Sequence, residues 1–505
     1  MIGKNLRYLG VALLALSGFA LSAPAIAQDG QADGSGAAET GKAFFPPART
    51  LTQSIEVDGH KLQYDITVEA LPTYGPDDKV TGHVVATSYV VPSKTPRPVA
   101  FVFNGGPGAG SGFLNIGAVG PKHIQFGAQG NTPSDSLIPE DNPGTWLAFT
   151  DMVFIDAIGT GFSRSDLGDE ETRKAFYGIE QDAKYLARAV YDWLKLHGRM
   201  RSDKYLVGES YGGFRVPRIA QELQVWNDVG PKGLILMSPY LDGHLLSPTG
   251  GEASAVSPMA AMIRLPSMAA ANYAAEGKTL SPAIMKDVED YARGEFPADW
   301  LKGWSDPAAL ERLEQRMVAF TGLSEEAVRR VGGRIDQNYF LRQRFKSQGL
   351  VASRYDINVT TPDPNPWSDS NVPMDSVAST FTMVGGAMTD LLTNTLGWKV
   401  SGKYWAFNPS VSRGWYNQGV DPESVTALRG AMAMDPKMKV LIAHGYGDLS
   451  CPYFASRLIV DQMPSTLTAG RLNLKLYDGG HMFYSRPGST AAFREDVRAM
   501  IEGRN

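Results

Sequence analysis

The chain has 505 residues, 43% of them hydrophobic, and 48 Lys and Arg against 53 Asp and Glu give a net charge of −5. That length is ample for a large core, and by length alone two or three domains are plausible. Mild acidity spread over so long a chain predicts neither nucleic-acid binding nor a polybasic membrane patch.

At the N-terminus, Lys4 and Arg7 precede an apolar run from Leu9 to Leu21, and Ala25-Ile26-Ala27 offers a small-residue cleavage site before Gln28. This pattern reads as a secretory signal peptide over residues 1–27, too short for a membrane span. Its loss removes two positive charges and takes the net charge from −5 to −7. Residues 28–47 open on a stretch rich in Gly, Ala, Asp and Ser without apolar periodicity, which predicts a disordered leader. No other stretch reaches the ~18 apolar residues of a spanning helix. The expectation is an exported protein, periplasmic or extracellular in a bacterial cell, with no membrane span in the mature form.

Gln53-Ile55-Val57 and Leu62-Tyr64-Ile66-Val68 alternate like antiparallel strands, with Asp58-Gly59 between them as a hairpin signal. Apolar runs at Val99 to Phe103, Met152 to Ile155, Tyr205 to Val207, Leu234 to Met237 and Val440 to Ala443 read as central buried strands. Helical spacing lies between them, for instance from Ile179 to Leu196. Strands alternating with helices argue a mostly parallel sheet. We expect the core in two parts, residues 48–244 and 401–505, interrupted by an insertion over 245–400. Ser305-Asp306-Pro307 and Ser324-Glu325-Glu326 are helix-start signals within that insertion, and Thr361 to Trp367 is too rich in proline for any helix to cross. A helical cap over the strand ends would shape a pocket and exclude water. Arg342, Arg344, Arg354 and Tyr355 in this insertion could meet a substrate, and the sequence does not choose among them.

Three short segments carry the chemistry. Gly208-Glu209-Ser210-Tyr211-Gly212 follows the apolar Tyr205-Leu206-Val207, the strand-then-turn context of a nucleophile elbow. Phe101-Val102-Phe103 runs into Asn104-Gly105-Gly106-Pro107-Gly108, a glycine-rich turn able to aim backbone amides at an oxyanion. The amides of Gly106 and Tyr211 are the candidates. Late in the chain, Asp448 follows one strand and His481 the next, giving the order Ser, Asp, His. A serine hydroxyl is a weak nucleophile until an imidazole takes its proton, and an acid fixes the imidazole tautomer. His444 is the rival base and Asp478 the rival acid. Together these features predict an α/β-hydrolase fold: a mostly parallel central sheet, helices on both faces and a helical cap insertion.

Five blocks taken in order resemble the serine carboxypeptidase family (peptidase family S10). They are Asn104 to Gly108, Asn142-Pro143-Gly144-Thr145-Trp146, Gly159-Thr160-Gly161-Phe162-Ser163, Gly208 to Gly213, and Gly447-Asp448 with Gly480-His481-Met482. The resemblance implies a serine-type carboxypeptidase acting on peptides through an acyl-enzyme, without a cofactor. Ser210, Asp448 and His481 would form the triad, with Gly106 and Tyr211 as the oxyanion hole. Asn104 and Glu209, assisted by the Gly105 amide, would bind the substrate's free C-terminal carboxylate. Glu209 and that carboxylate would then share a proton, since two adjacent carboxylates cannot both ionise cheaply. The resemblance also places Cys451, the single cysteine, near the substrate pocket. The chain departs from the family pattern at Ala118, where a second glutamate is usual, at Val102 in place of a tryptophan, and at Ala109 in place of a cysteine. The missing glutamate bears on strict C-terminal action and on the family's acid optimum. Other readings on the same scaffold are an esterase, an aminopeptidase (Asn104 to Gly108 also resembles the loop of proline iminopeptidases) and an acyltransferase. A catalytically inactive peptide-binding protein is the reading from a different class. No metal-ligating pattern is present: there is no His-Glu-x-x-His and no cysteine pair.

Overall fold

A computed structural model describes residues 45–126, 134–135, 139–245, 257–368, 375–416 and 419–504. The signal peptide and most of the leader expected from the sequence lie outside these residues. The central sheet has ten strands. Across the sheet its main path runs Arg49–Val57, His60–Tyr74, Val80–Val90, Asp151–Asp156, Val99–Phe103, Lys204–Glu209, Gly233–Met237, Lys439–Gly445 and Leu472–Tyr477. The first three strands and the join to Asp151–Asp156 are antiparallel; every later neighbour is parallel.

Local chemistry accounts for the elements. Asp58 (φ 53°) and Gly59 (φ 75°) are both left-handed, as a two-residue hairpin turn requires, and Val57 pairs with His60 across it. The parallel strands are continuous apolar runs because both faces are covered. Val102, Val207 and Leu441 join the cluster on one face, beneath the C-terminal helix Pro487–Glu502. Their neighbours Phe101, Leu206 and Val440 join the other, with Leu186, Trp193, Val216 and Leu223 from helices Ile179–Leu196 and Tyr211–Trp226.

Six helices between Met259 and Gln343 carry a third cluster of their own. Asp306 and Ser324 cap two of them, accepting from the amides of Ala309 and Ala327. This cluster includes Ile357, Tyr446, Leu449 and Phe454, so the helices are seated on the chain segment that carries Asp448.

The structure also holds elements that the sequence analysis did not anticipate. Strand Val80–Val90 contains Gly82, His83 and Ser88, which break an apolar pattern, and it is held by partners on both sides. Thr360–Pro362 is a short strand paired with Leu350–Ala352, not a plain loop; its proline sits at the end of an edge strand, where no donor is needed. Ser379–Asp390 is a helix in spite of Gly385-Gly386. Propensity disfavours it, and packing overrides: a Cβ on Gly112 would lie 2.9 Å from both Met388 and Val384 of this helix.

Candidate active site

Ser210 stands between strand Lys204–Glu209 and helix Tyr211–Trp226 with φ 61° and ψ −123°. A non-glycine residue held in such a region costs on the order of 1–3 kcal/mol and persists only where its surroundings impose it. Here the surroundings are backbone in near contact. A Cβ on Gly208 would lie 2.1 Å from Gly212 O, one on Gly212 would lie 2.5 Å from Phe103 O, and one on Gly213 would lie 2.4 Å from Pro239 Cβ. The Ser210 amide donates to Met237 O at 2.9 Å, and the Tyr240 amide donates to Ser210 O at 3.1 Å.

The glycine-rich turn after Val99–Phe103 lies directly on this elbow. A Cβ on Gly105 would be 2.5 Å from the Tyr211 amide nitrogen, and Gly106 has φ 103°. Tyr211 is the first residue of its helix, so its amide has no intrahelical acceptor. The turn is braced from behind by the buried pair Arg215–Asp182, in which Arg215 also donates to Asn104 O.

His481 Nδ1 and Asp448 Oδ2 are 2.7 Å apart, both residues buried. Asp448 Oδ1 accepts from the amides of Ser450 (2.8 Å) and Cys451 (2.9 Å), which fixes the carboxylate plane. The ring is held from the backbone as well: the His481 amide donates to Tyr355 O, and Ser238 Oγ donates to His481 O at 2.8 Å. Burial works against the imidazolium, but Asp448 outweighs it and raises the His481 pKa well above its ordinary value. Among the described residues no hydrogen bond joins Ser210 Oγ to this ring; both line the same cavity. The rivals sit elsewhere. His444 is fully buried, faces Ser456 Oγ at 2.8 Å, and is pushed down to about 4 by burial. Asp478 is exposed and pairs with Arg486 at 3.0 Å.

Glu209 is buried beside the nucleophile. Asn104 Nδ2 donates to its Oε2, and Tyr484 Oη donates to its Oε1. Burial raises its pKa to about 7, against the opposing pull of His481 and of these two donors. Tyr484 is a site residue that the sequence analysis missed. It lies three residues past His481 in a stretch without spacing to mark it, and only tertiary folding brings it to Glu209. Ala118 is buried among apolar side chains and lines a smaller cavity together with Tyr484.

The cavity over Ser210 has a volume of about 240 Å³. Asn104, Gly105, Gly106, Glu209 and His481 line it, together with an apolar wall of Phe113, Phe381, Phe407, Val377 and Met482. Of the four residues left open in the insertion, Arg354 and Tyr355 reach this cavity. Arg342 is buried in an ion pair with Asp363, and Arg344 lies over Phe345. Cys451, expected near the pocket, is buried and its side chain reaches His481; its neighbour Ser450 lines the cavity. Among the described residues no group of three or more His, Cys, Asp or Glu could hold a metal ion.

Known proteins share parts of this sequence and its fold. The family model described as serine carboxypeptidase matches residues 88–482. A pheromone-processing carboxypeptidase, KEX1 of Yarrowia lipolytica, is 36% identical over 151 residues, 29% of this chain and 22% of that protein. Serine carboxypeptidase-like 29 of Arabidopsis thaliana is 31% identical over 157 residues, 29% of each chain. The chain thus spans less than a third of the length of either relative. The crystal structure of a prohormone-processing carboxypeptidase from Saccharomyces cerevisiae has the same fold, with a TM-score of 0.54 at 15% identity over 87% of this chain and 91% of that one.

Proposed function

The chain belongs to the serine carboxypeptidase family, and on that premise we propose that it is an exported enzyme that removes C-terminal residues from peptides through an acyl-enzyme. The observation that carries the reading is the convergence of Ser210, His481, Glu209 and Asn104 on one cavity. In this mechanism Ser210 Oγ attacks the carbonyl carbon of the last peptide bond, and His481 Nε2 takes its proton. Asp448 holds the other ring nitrogen and stabilises the imidazolium that forms. The amides of Gly106 and Tyr211 receive the developing oxyanion. His481 returns the proton to the leaving amine, and water then repeats the sequence on the acyl-enzyme. Below about pH 7 Glu209 holds a proton and can donate it in a hydrogen bond to the substrate's terminal carboxylate, alongside Asn104. Export belongs to the same proposal and rests on residues 1–27. Among the described residues no helix is long and apolar enough to cross a membrane.

The test is hydrolysis of N-blocked dipeptides and their C-terminal amides from about pH 4 to 8, followed by mass spectrometry, with Ser210→Ala as control. Release of the last residue from free acids but not from amides, lost in the variant, is the expected result. Turnover of amides, esters or free N-termini alone would refute terminus recognition and leave a serine hydrolase of another specificity.

A further inference from the structure

The cavity holds one charged side chain that the mechanism above does not use. Arg354 is the single lysine or arginine among the described residues lining it. Its backbone is pinned at three points: the Arg354 amide donates to Asp375 Oδ2 at 2.8 Å, and the amides of Leu449 and Ser450 donate to Arg354 O at 3.0 and 3.1 Å. The residue is therefore tied to the turn that carries Asp448. Its guanidinium lies over the Tyr355 ring, 4.8 Å from the centroid, and donates to Tyr355 Oη at 2.8 Å. Tyr355 in turn packs against the His481 ring at 5.5 Å. The nearby carboxylate, Asp375, is engaged by Ser353 Oγ and by the amides of Arg354 and Val377, not by the guanidinium. The arginine side chain is exposed and in no ion pair with a described residue. A fixed guanidinium beside the reacting centre, in direct ion-pair contact with no described carboxylate, presents a planar fork of donors suited to a carboxylate.

We propose that Arg354 is a specificity residue that binds an acidic side chain of the peptide substrate, so that the enzyme favours glutamate or aspartate next to the scissile bond. This rests on the peptide reading above. It also assigns the second charged end of the cavity: Glu209 and Asn104 take the terminus, and Arg354 takes a carboxylate belonging to either the penultimate or the last residue.

The experiment is calorimetric titration of the full-length Ser210→Ala protein, with and without Arg354→Gln, using N-blocked Glu-Leu against Gln-Leu and Leu-Glu against Leu-Gln, all with free C-termini. The Arg354 side chain is exposed and held only by Tyr355, so the substitution leaves the fold in place. At one of the two positions Glu binds about fivefold more tightly than Gln, the size of one partly exposed charge pair. That ratio falls to unity with Arg354→Gln and shrinks with added salt. The position that carries it identifies which residue supplies the carboxylate. No Glu preference at either position, or a preference that survives Arg354→Gln, overturns the proposal. Titrating the C-terminal amides gives a further control: if amidation weakens binding with Arg354 present but not with Arg354→Gln, the guanidinium holds the terminus and the side-chain assignment is wrong. Binding is read without turnover, so a protein that releases no terminal residue yet keeps the Glu preference refutes the carboxypeptidase reading and not this one.

Discussion

The floor and the walls of the cavity are built in different ways. The floor, Ser210 and the Asn104–Gly108 turn, is backbone packed against backbone, with Gly105, Gly208 and Gly212 where two segments come within reach of a Cβ. The walls are side chains brought from distant segments, Arg354 and Tyr355, then Phe381 and Phe407, while Tyr484 reaches Glu209 from outside the cavity lining. Backbone constraints admit one residue type, so a fault in the floor removes function outright. Side-chain walls vary by degrees, and a fault there should change which substrate is taken, or at what pH.

The largest expected effect lies in the side-chain pair that takes the proton from Ser210 at the floor. Asp448→Asn keeps the Oδ1 acceptor for the amides of Ser450 and Cys451 but presents the wrong partner to His481 Nδ1. Turnover of a blocked dipeptide should fall by about 10⁴-fold with binding little changed, as expected when the tautomer is lost. A loss of only a few fold would mean that another acid orients the ring. Next is Gly105→Ala, whose Cβ would meet the Tyr211 amide nitrogen at 2.5 Å. Overpacking of this kind costs about 1–3 kcal/mol, read as a lower unfolding midpoint. Activity should drop further than stability, because the displaced amide belongs to the proposed oxyanion hole. Unchanged kcat in this variant would break the contrast between floor and wall.

That contrast also explains what could be read from the sequence. Gly208, Gly212 and Gly213 are legible because the elbow leaves no room for a side chain, and the strand before them is legible because both its faces are buried. Asp448 and His481 are legible because each follows a strand whose C-terminal end must lie at one edge of the sheet. Tyr484, Phe381 and Phe407 are not. Phe381 rides on a helix containing Gly385-Gly386 that only packing stabilises, and Tyr484 acts through a hydrogen bond across 275 residues of chain. The open choice among Arg342, Arg344, Arg354 and Tyr355 had the same origin: the partners that bury Arg342 and leave Arg354 at the cavity are set by tertiary folding, not by spacing.

Glu209 sits where floor meets wall, and its titration sharpens the comparison. Burial, the leading cause, raises its pKa to about 7, so the neutral form that can donate to a substrate carboxylate exists below that pH. Above it the ionised form repels the same carboxylate. KM for free-acid peptides should therefore rise as pH increases through about 7, while KM for esters of the same peptides stays level. In Glu209→Gln the dependence on pH disappears, because the amide donates at every pH. A rise in KM that persists in this variant would assign the ionisation to another group.

The smallest effect, and the one most particular to this chain, is at Tyr484. Tyr484 supplies Glu209 with a neutral hydroxyl donor, while Ala118 is buried among apolar side chains. A donor favours the ionised carboxylate, and Tyr484 does lower the Glu209 pKa against burial. Tyr484→Phe withdraws it. The pH at which KM begins to rise should then move upward, by less than about one unit for a bond of ordinary net strength, with kcat at low pH retained. Movement in the opposite direction would mean that the tyrosine stabilises the protonated acid. No movement at all would mean that the hydroxyl supports packing only.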